Sequence, residues 1–277
     1  MKTKKVILLT GASSGIGYDT ALTLAKQGHC VYAAARRLEK MEPLKEYGVK
    51  VIKMDVTDEE SMRQGVDAVM RAEGRIDVLV NNAGYGYFGA IENVTMEEAR
   101  RQLEVNLFGL AQLTKMVLPI MRQQGSGRII NTSSIAGKMA IIYGGWYNVT
   151  KYAVEAFSDA LRMEMKPFGI DVVKIEPGAI KTDWGVIAAN HLEESSAGTA
   201  YEETGSRLSR SMRWFYESNI GSSPKVITRV ICRAVNSRHP RACYSRGRFS
   251  FFGRAAHLIL PARWFDAIMR GVGRIRI

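Results

Sequence analysis

Short apolar runs alternate with amphipathic stretches along the first two thirds of the chain, and a glycine loop forms the first junction between them. Val6–Thr10 leads into Gly11-Ala12-Ser13-Ser14-Gly15-Ile16-Gly17. The stretch Tyr18–Gln27 follows, with Ala21, Leu22, Leu24 and Ala25 spaced for a buried helix face. Further apolar runs at Cys30–Ala35, Val49–Met54, Ile76–Val80, Gly127–Thr132 and Asp171–Ile175 predict strands. Helices are expected from an Asp58 N-cap through Glu73, from about Thr95 to Arg122, and around Tyr147 and Lys151 to about Lys166, where Pro167 and Gly169 stop it. A helix near Pro224–Val235 and a strand near Ala242–Ser245 complete the set. Strands alternating with helices in this way predict an α/β fold with one doubly wound parallel sheet, covered on both faces.

Right-handed crossovers place every strand's C-terminal end along one edge of such a Rossmann-type sheet, which is where ligands bind. Gly11–Gly17, Arg36, Asp55, Asn81–Gly84, Ser134 and Pro177–Gly178 all follow strand ends, so residues scattered in sequence should share one crevice. The spacing G-x-x-x-G-x-G after the first strand suits a pyrophosphate, because glycines let backbone N–H groups and a helix N-terminus approach it. An acidic residue at the end of the second strand would accept from an adenosine ribose 2′-hydroxyl. The chain instead has Arg36 and Arg37 there, which suit a 2′-phosphate and predict NADP over NAD. Tyr147 and Lys151, four residues apart, share a helix face. A phenol beside an ammonium is suited to proton transfer, the positive charge favouring the phenolate. Ser134, at a strand end, stands where its hydroxyl could bond the same substrate oxygen.

Thr10-Gly11-x-x-x-Gly15-Ile16-Gly17, Asp55, Asn81-Asn82-Ala83-Gly84, Asn106, Ser134, Tyr147-x-x-x-Lys151 and Pro177-Gly178 stand in the order and at the spacings of the short-chain dehydrogenase/reductase family, which the chain resembles over about residues 5–182. Pro240-Arg241 to Gly247 and Leu260-Pro261 resemble, more weakly, the C-terminal extensions of its hydroxysteroid- and retinol-dehydrogenase-like branch. The resemblance implies that Tyr147 is the proton donor or acceptor, that Lys151 lowers its pKa and holds the nicotinamide ribose, and that Ser134 orients the substrate carbonyl. It also implies that Asn106 kinks its helix and holds a water in a proton relay. The implied cofactor residues are Gly11, Ser13, Ser14, Gly15, Ile16 and Gly17 in the loop, with Arg36 and Arg37. Asp55 and Val56 would meet the adenine, and Asn82, Ala83 and Gly84 the adenosine side. Pro177, Gly178, Ile180 and Thr182 would lie toward the nicotinamide, Thr182 meeting its carboxamide. Gly144-Gly145-Trp146 departs from the family's usual smaller or polar residues, and Trp146 is expected to narrow the pocket.

Residues 183–222 show no clean period and carry Trp184, Ile187, Trp214, Phe215 and Tyr216, which predicts a lid or substrate loop within one 1–277 domain. With Met139, Ile141, Ile142, Tyr143 and Trp146 opposite, it predicts an NADPH-dependent ketone reductase or alcohol dehydrogenase for a bulky apolar substrate: steroid, retinoid or long-chain lipid. A 3-oxoacyl thioester is the alternative substrate. Two other classes account for less of the chain. Gly11-Ala12-Ser13-Ser14-Gly15 formally matches a hydrolase nucleophile elbow on Ser13, with His191, His239 or His257 as partner, yet leaves Gly17, Ser134, Tyr147 and Lys151 unexplained. A non-catalytic NADP-binding sensor conflicts with the intact Ser134, Tyr147 and Lys151.

The net charge of +12 is concentrated: residues 205–277 hold 15 Lys and Arg against Glu217 and Asp266, leaving 24 basic against 25 acidic residues before them. No nucleic-acid module is recognisable, so no nucleic-acid partner is expected. In the tail from Phe249 to Ile277, arginines alternate with Phe251, Phe252, Leu258, Ile259, Leu260, Trp264, Phe265 and Ile268. Packing over the substrate pocket is the preferred reading and peripheral contact with an anionic membrane the other. Cys30, Cys232 and Cys243 show no pairing or metal-ligand spacing, and the four histidines are dispersed. Neither disulfides nor a metal are therefore expected, and a cytoplasmic protein, with or without membrane association, is. Homo-oligomer formation through the long helices is typical of the family.

Overall fold

The computed structural model describes residues 4–218, 220–250 and 259–272. Its centre is a seven-stranded parallel sheet in the order β3-β2-β1-β4-β5-β6-β7. The strands are β1 (Val6–Thr10), β2 (Cys30–Ala35), β3 (Lys50–Lys53), β4 (Val78–Asn81), β5 (Gly127–Thr132), β6 (Ile170–Pro177) and β7 (Cys243–Arg246). Every residue of β1, β2 and β4 is buried, as strands covered on both faces require, whereas the edge strand β3 keeps both end lysines exposed.

Period-two alternation divides the core into two layers. Ile7 and Leu9 point toward helices α1 (Gly15–Lys26) and α8 (Lys225–Asn236), meeting Leu24, Ile227 and Ile231. Val6 and Leu8 point the other way, into a layer shared with Val66 of α2 (Glu59–Glu73), Leu113 of α4 (Gly109–Gln124) and Leu161 of α5 (Gly145–Met165). Asp58 caps α2 as expected, its carboxylate accepting from the backbone N–H of Glu60 at 3.0 Å and of Ser61 at 3.3 Å.

Two expectations are corrected. The helix predicted from Thr95 to Arg122 is α3 (Met96–Leu103) and α4, joined through a single π-helical turn at Glu104–Phe108. The loop predicted at 183–222 is mostly two packed helices, α6 (Asp183–Ser196) and α7 (Glu202–Glu217). Leu192 and Leu208 supply their buried contact, a seam too sparse to show as a period. A last helix, α9 (Ala262–Val272), follows β7. Among the described residues no helix is long and apolar enough to cross a membrane.

Candidate active site

From β1 the chain winds to one side and from β4 to the other, so the switch point of the sheet lies between these two strands, at their C-terminal ends. The segments leaving them are bound together there. Thr10 Oγ1 accepts from the backbone N–H of Asn82 and of Ala83, each at 3.1 Å, and Asn82 Nδ2 donates to the carbonyls of Thr10 and Gly11 at 3.2 and 3.3 Å. A Cβ on Gly17 would lie 2.2 Å from the Gly11 carbonyl oxygen, so the loop closes on bare backbone. Helix α1 has no acidic residue in its first turn and Ser14 makes no side-chain cap, which leaves its leading N–H groups to be met by a ligand. Ser13, Ser14, Gly15 and Ile16 line a cleft of about 1280 Å³ together with Arg36 and Arg37. Arg37 donates to Ser13 Oγ at 3.1 Å, and Asp55 is held on the wall by bonds from Thr57 N and Oγ1 at 3.0 and 2.8 Å. A helix N-terminus without its own anion, beside two guanidiniums, fits the diphosphate of a dinucleotide.

Val56, Asn82, Ala83, Gly84, Pro177, Gly178, Ile180 and Thr182 line the same cleft, so it gathers nearly all the residues expected of it. Thr182 lies against the glycine loop, its methyl 3.1 Å from where a Gly15 Cβ would sit. Gly17 and Asn106 stand behind the wall. Glu98 and Arg101 of α3 also line it. These two carry no signal in the sequence, because nothing in a helix's charge pattern states which face looks into a cleft formed by other elements.

Helix α5 carries Tyr147 and Lys151 inward, both buried. Lys151 Nζ lies 5.7 Å from the centre of the phenol ring and donates to the Thr132 carbonyl at 2.9 Å. Ser134, just past β5, lies close enough to the phenol to pull its pKa down. Its Oγ accepts from Ala136 N at 3.1 Å. Burial pushes the Tyr147 pKa well above the ordinary phenol value, outweighing the downward pull of Ser134, while Tyr216 adds to the rise. Burial also lowers Lys151 to about 8, against an opposing influence from Glu155. The expected lowering of the phenol by Lys151 is thus not what the chain alone sets: both groups are enclosed, and enclosure disfavours both charged forms. Asn106 lies in the π-helical turn with both ends engaged. Its Nδ2 donates to Tyr85 O at 2.8 Å and Thr150 Oγ1 at 3.1 Å, and its Oδ1 accepts from Tyr85 N at 3.0 Å.

Aromatic rings surround the phenol. Trp184 lies 5.0 Å from Tyr147 between ring centres and Phe88 5.9 Å, with Phe88 edge-on to Trp184 at 5.8 Å. Trp184, not Trp146, narrows the pocket: Trp146 is outside the cleft wall, because it falls on the other side of α5 from Lys151. Met139, Ile141 and Ile142 line the cleft as expected. Tyr143 does not, its hydroxyl meeting Thr204 Oγ1 at 2.6 Å. Phe88 stands between Tyr87 and Gly89, where no local pattern in the sequence marks it as part of the cleft. From the tail, Phe265, Ile268 and Met269 of α9 reach the cleft, whereas Phe251, Phe252 and Leu258 lie outside the described residues. Among the described residues no hydrolase constellation forms around Ser13. His191 stacks on Tyr87 at 4.5 Å, His239 is exposed and His257 lies outside the described residues.

A dinucleotide cradle at the switch point of a parallel sheet, facing a buried phenol, serine hydroxyl and lysine, defines a nucleotide-dependent oxidoreductase. Residues 5–191 match the family model described as short chain dehydrogenase. A probable short-chain type dehydrogenase/reductase of Helicobacter pylori is 34% identical over 263 residues, 95% of this chain and 96% of that one. The 3-ketodihydrosphingosine reductase of Bacteroides thetaiotaomicron is 40% identical over 238 residues, 85% of each chain. Among solved structures, a short-chain dehydrogenase from Streptomyces avermitilis superposes with a TM-score of 0.79 at 32% identity, covering 99% of this chain and 96% of that one. The chain belongs to the short-chain dehydrogenase/reductase family and, as a member, is an NAD(P)-dependent oxidoreductase.

Proposed function

We propose that the protein interconverts a ketone and a secondary alcohol on a bulky apolar substrate, a long-chain lipid ketone foremost, with NADP(H) as its cofactor. The observation that carries this is the buried Tyr147–Ser134 pair opening onto the aromatic wall of Phe88 and Trp184, with room in the cleft for a dinucleotide and an extended apolar molecule together. The likeness to a 3-ketodihydrosphingosine reductase supports the lipid class. The bound nicotinamide supplies or accepts the hydride. In reduction, Tyr147, kept protonated by burial, gives its phenolic proton to the substrate oxygen, and the Ser134 hydroxyl donates to the same oxygen as charge develops there. Lys151 places a positive charge beside the phenol and stabilises the phenolate left behind. Asn106 acts as a positioning residue, tying the Tyr85 backbone to Thr150, whose own hydroxyl donates to the Tyr147 carbonyl at 2.8 Å. Arg36 and Arg37 favour the 2′-phosphate.

A panel of ketones of rising chain length, assayed with NADPH and NADH side by side and repeated with Tyr147→Phe, tests the reading. NADPH is expected to be preferred by on the order of tenfold or more through the two guanidiniums. Loss of the phenol is expected to cut turnover by roughly 10²–10⁴-fold. Equal rates with NADH overturn the cofactor assignment, and undiminished turnover in Tyr147→Phe overturns the proton route.

A further inference from the structure

The mouth of the cleft is unusually apolar for a solvent-facing rim. Trp214 of α7, Phe249 after β7 and Ile268 of α9 line the cleft yet remain 49, 51 and 45% exposed. Phe249 has close neighbours there: the Phe215 ring lies 6.2 Å away, and Arg248 covers the Phe249 ring at 6.0 Å. Ile259 and Trp264 extend the rim outward, 78 and 69% exposed, and neither lines the cleft. Large apolar side chains left in water at this density mark a contact surface.

The charges beside them indicate what that surface meets. Arg246, Arg248, Arg263 and Arg270 are exposed around the rim, with Asp266 the acidic residue among them on α9. They belong to the last quarter of the chain, which holds 15 basic against two acidic residues while the rest is nearly neutral. Helix α9 itself turns Phe265 and Met269 toward the cleft and carries Trp264 and the arginines outward. Apolar side chains flanked by guanidiniums match an anionic lipid surface, in which the former enter the acyl boundary and the latter pair with headgroups.

We propose that this rim, Ile259, Trp264 and Ile268 of the C-terminal segment with Trp214, Phe249 and the flanking arginines, rests on an anionic bilayer and opens the cleft directly into it. An apolar substrate would then pass from the lipid to Tyr147 without crossing water. The route rests on the reading of the cleft as an apolar-substrate site, whereas membrane contact is measured without any turnover, so either can fail alone.

The test is sedimentation of the full chain with vesicles of phosphatidylglycerol and phosphatidylcholine in equal parts, and with phosphatidylcholine alone. Binding is expected to the mixed vesicles, much less to the neutral ones, and to fall at high salt as headgroup attraction is screened. Ile259→Glu with Trp264→Glu is expected to weaken it on the order of tenfold or more. Arg263→Glu with Arg270→Glu should do the same through charge alone, and both double variants should keep the unfolding midpoint of the parent. A parent chain that stays in the supernatant overturns the proposal. So do variants that fold and sediment equally well, or a dimer that the variants split without any vesicle binding, which would give the rim to a second copy of the chain.

Discussion

At the scale of single residues, the site carries a conflict between function and stability. Lys151 is buried, its pKa lowered from 10.5 to about 8. Below pH 8 both the folded and unfolded chains hold its proton, so the folded chain bears the full cost of the enclosed ammonium. Between pH 8 and 10.5 the folded chain gives up the proton first, and stability rises with pH. Replacing the amine with a methionine side chain removes this cost, worth roughly 3 kcal/mol from the size of the shift, less whatever is lost when the Thr132 carbonyl loses its donor. Lys151→Met is therefore expected to be more stable than the parent by about 1–2 kcal/mol in urea unfolding at pH 7, with the advantage shrinking toward pH 10.5, while turnover collapses. A variant less stable at pH 7, or an advantage that does not change with pH, contradicts this. The residues of this group were legible in the sequence because chemistry demands their types at fixed spacings: a phenol and an amine one helical turn apart, and a hydroxyl at a strand end. Trp184 was legible only as one aromatic residue among several in its segment. Whether it or Trp146 meets the phenol depends on how α6 folds back over α5, which no local pattern encodes.

At the scale of elements, the strands were easiest to read. A parallel strand between two helical layers must be buried along its whole length, and β1, β2 and β4 are, apolar but for the terminal Thr10 and Asn81. The π-helical turn before α4 and the α6–α7 pair were not legible, since the first needs one extra residue in an otherwise helical pattern and the second is held by a few side chains. The junction between β1 and α1 was legible because glycines are required where backbone meets backbone. That requirement separates two kinds of glycine. A Cβ on Gly17 would strike the Gly11 carbonyl at 2.2 Å and Asn82 Nδ2 at 2.7 Å, whereas one on Gly28 would meet nothing within 4 Å and feels only its φ of 87°. Gly28→Ala is expected to cost about 1 kcal/mol through backbone strain. Gly17→Ala must move the loop off its Asn82 bonds, costing about 2–4 kcal/mol and weakening NADPH binding on the order of tenfold or more. Urea melts and a cofactor titration of the two variants check it. Equal losses in both would mean that the loop can relax without consequence.

At the scale of the whole molecule, the reacting end and the specificity end of the cleft come from different parts of the chain. The segments at the sheet's C-terminal edge up to Thr182 supply Tyr147, Ser134 and the cradle, and the later helices supply most of the aromatic roof. The family model stops at residue 191, so the catalytic groups lie within the part it describes and much of the roof lies beyond it. Distance from the phenol should then translate into chain-length selectivity. Phe265 is buried and, with Met269, lines the cleft from α9, well after the catalytic segments in sequence. A short ketone held between Phe88 and Trp184 would not reach these side chains, and a long one would. Truncating both, Phe265→Ala with Met269→Ala, removes apolar contact worth about 1–3 kcal/mol to a molecule that reaches it. KM for long-chain ketones is expected to rise by on the order of tenfold or more, with kcat for short ketones unchanged, because binding far from the reacting carbon contributes equally to ground and transition states. An equal rise in KM at every chain length would place the effect in the fold of the roof rather than in contact with the substrate, and no rise at any length would remove α9 from the binding site.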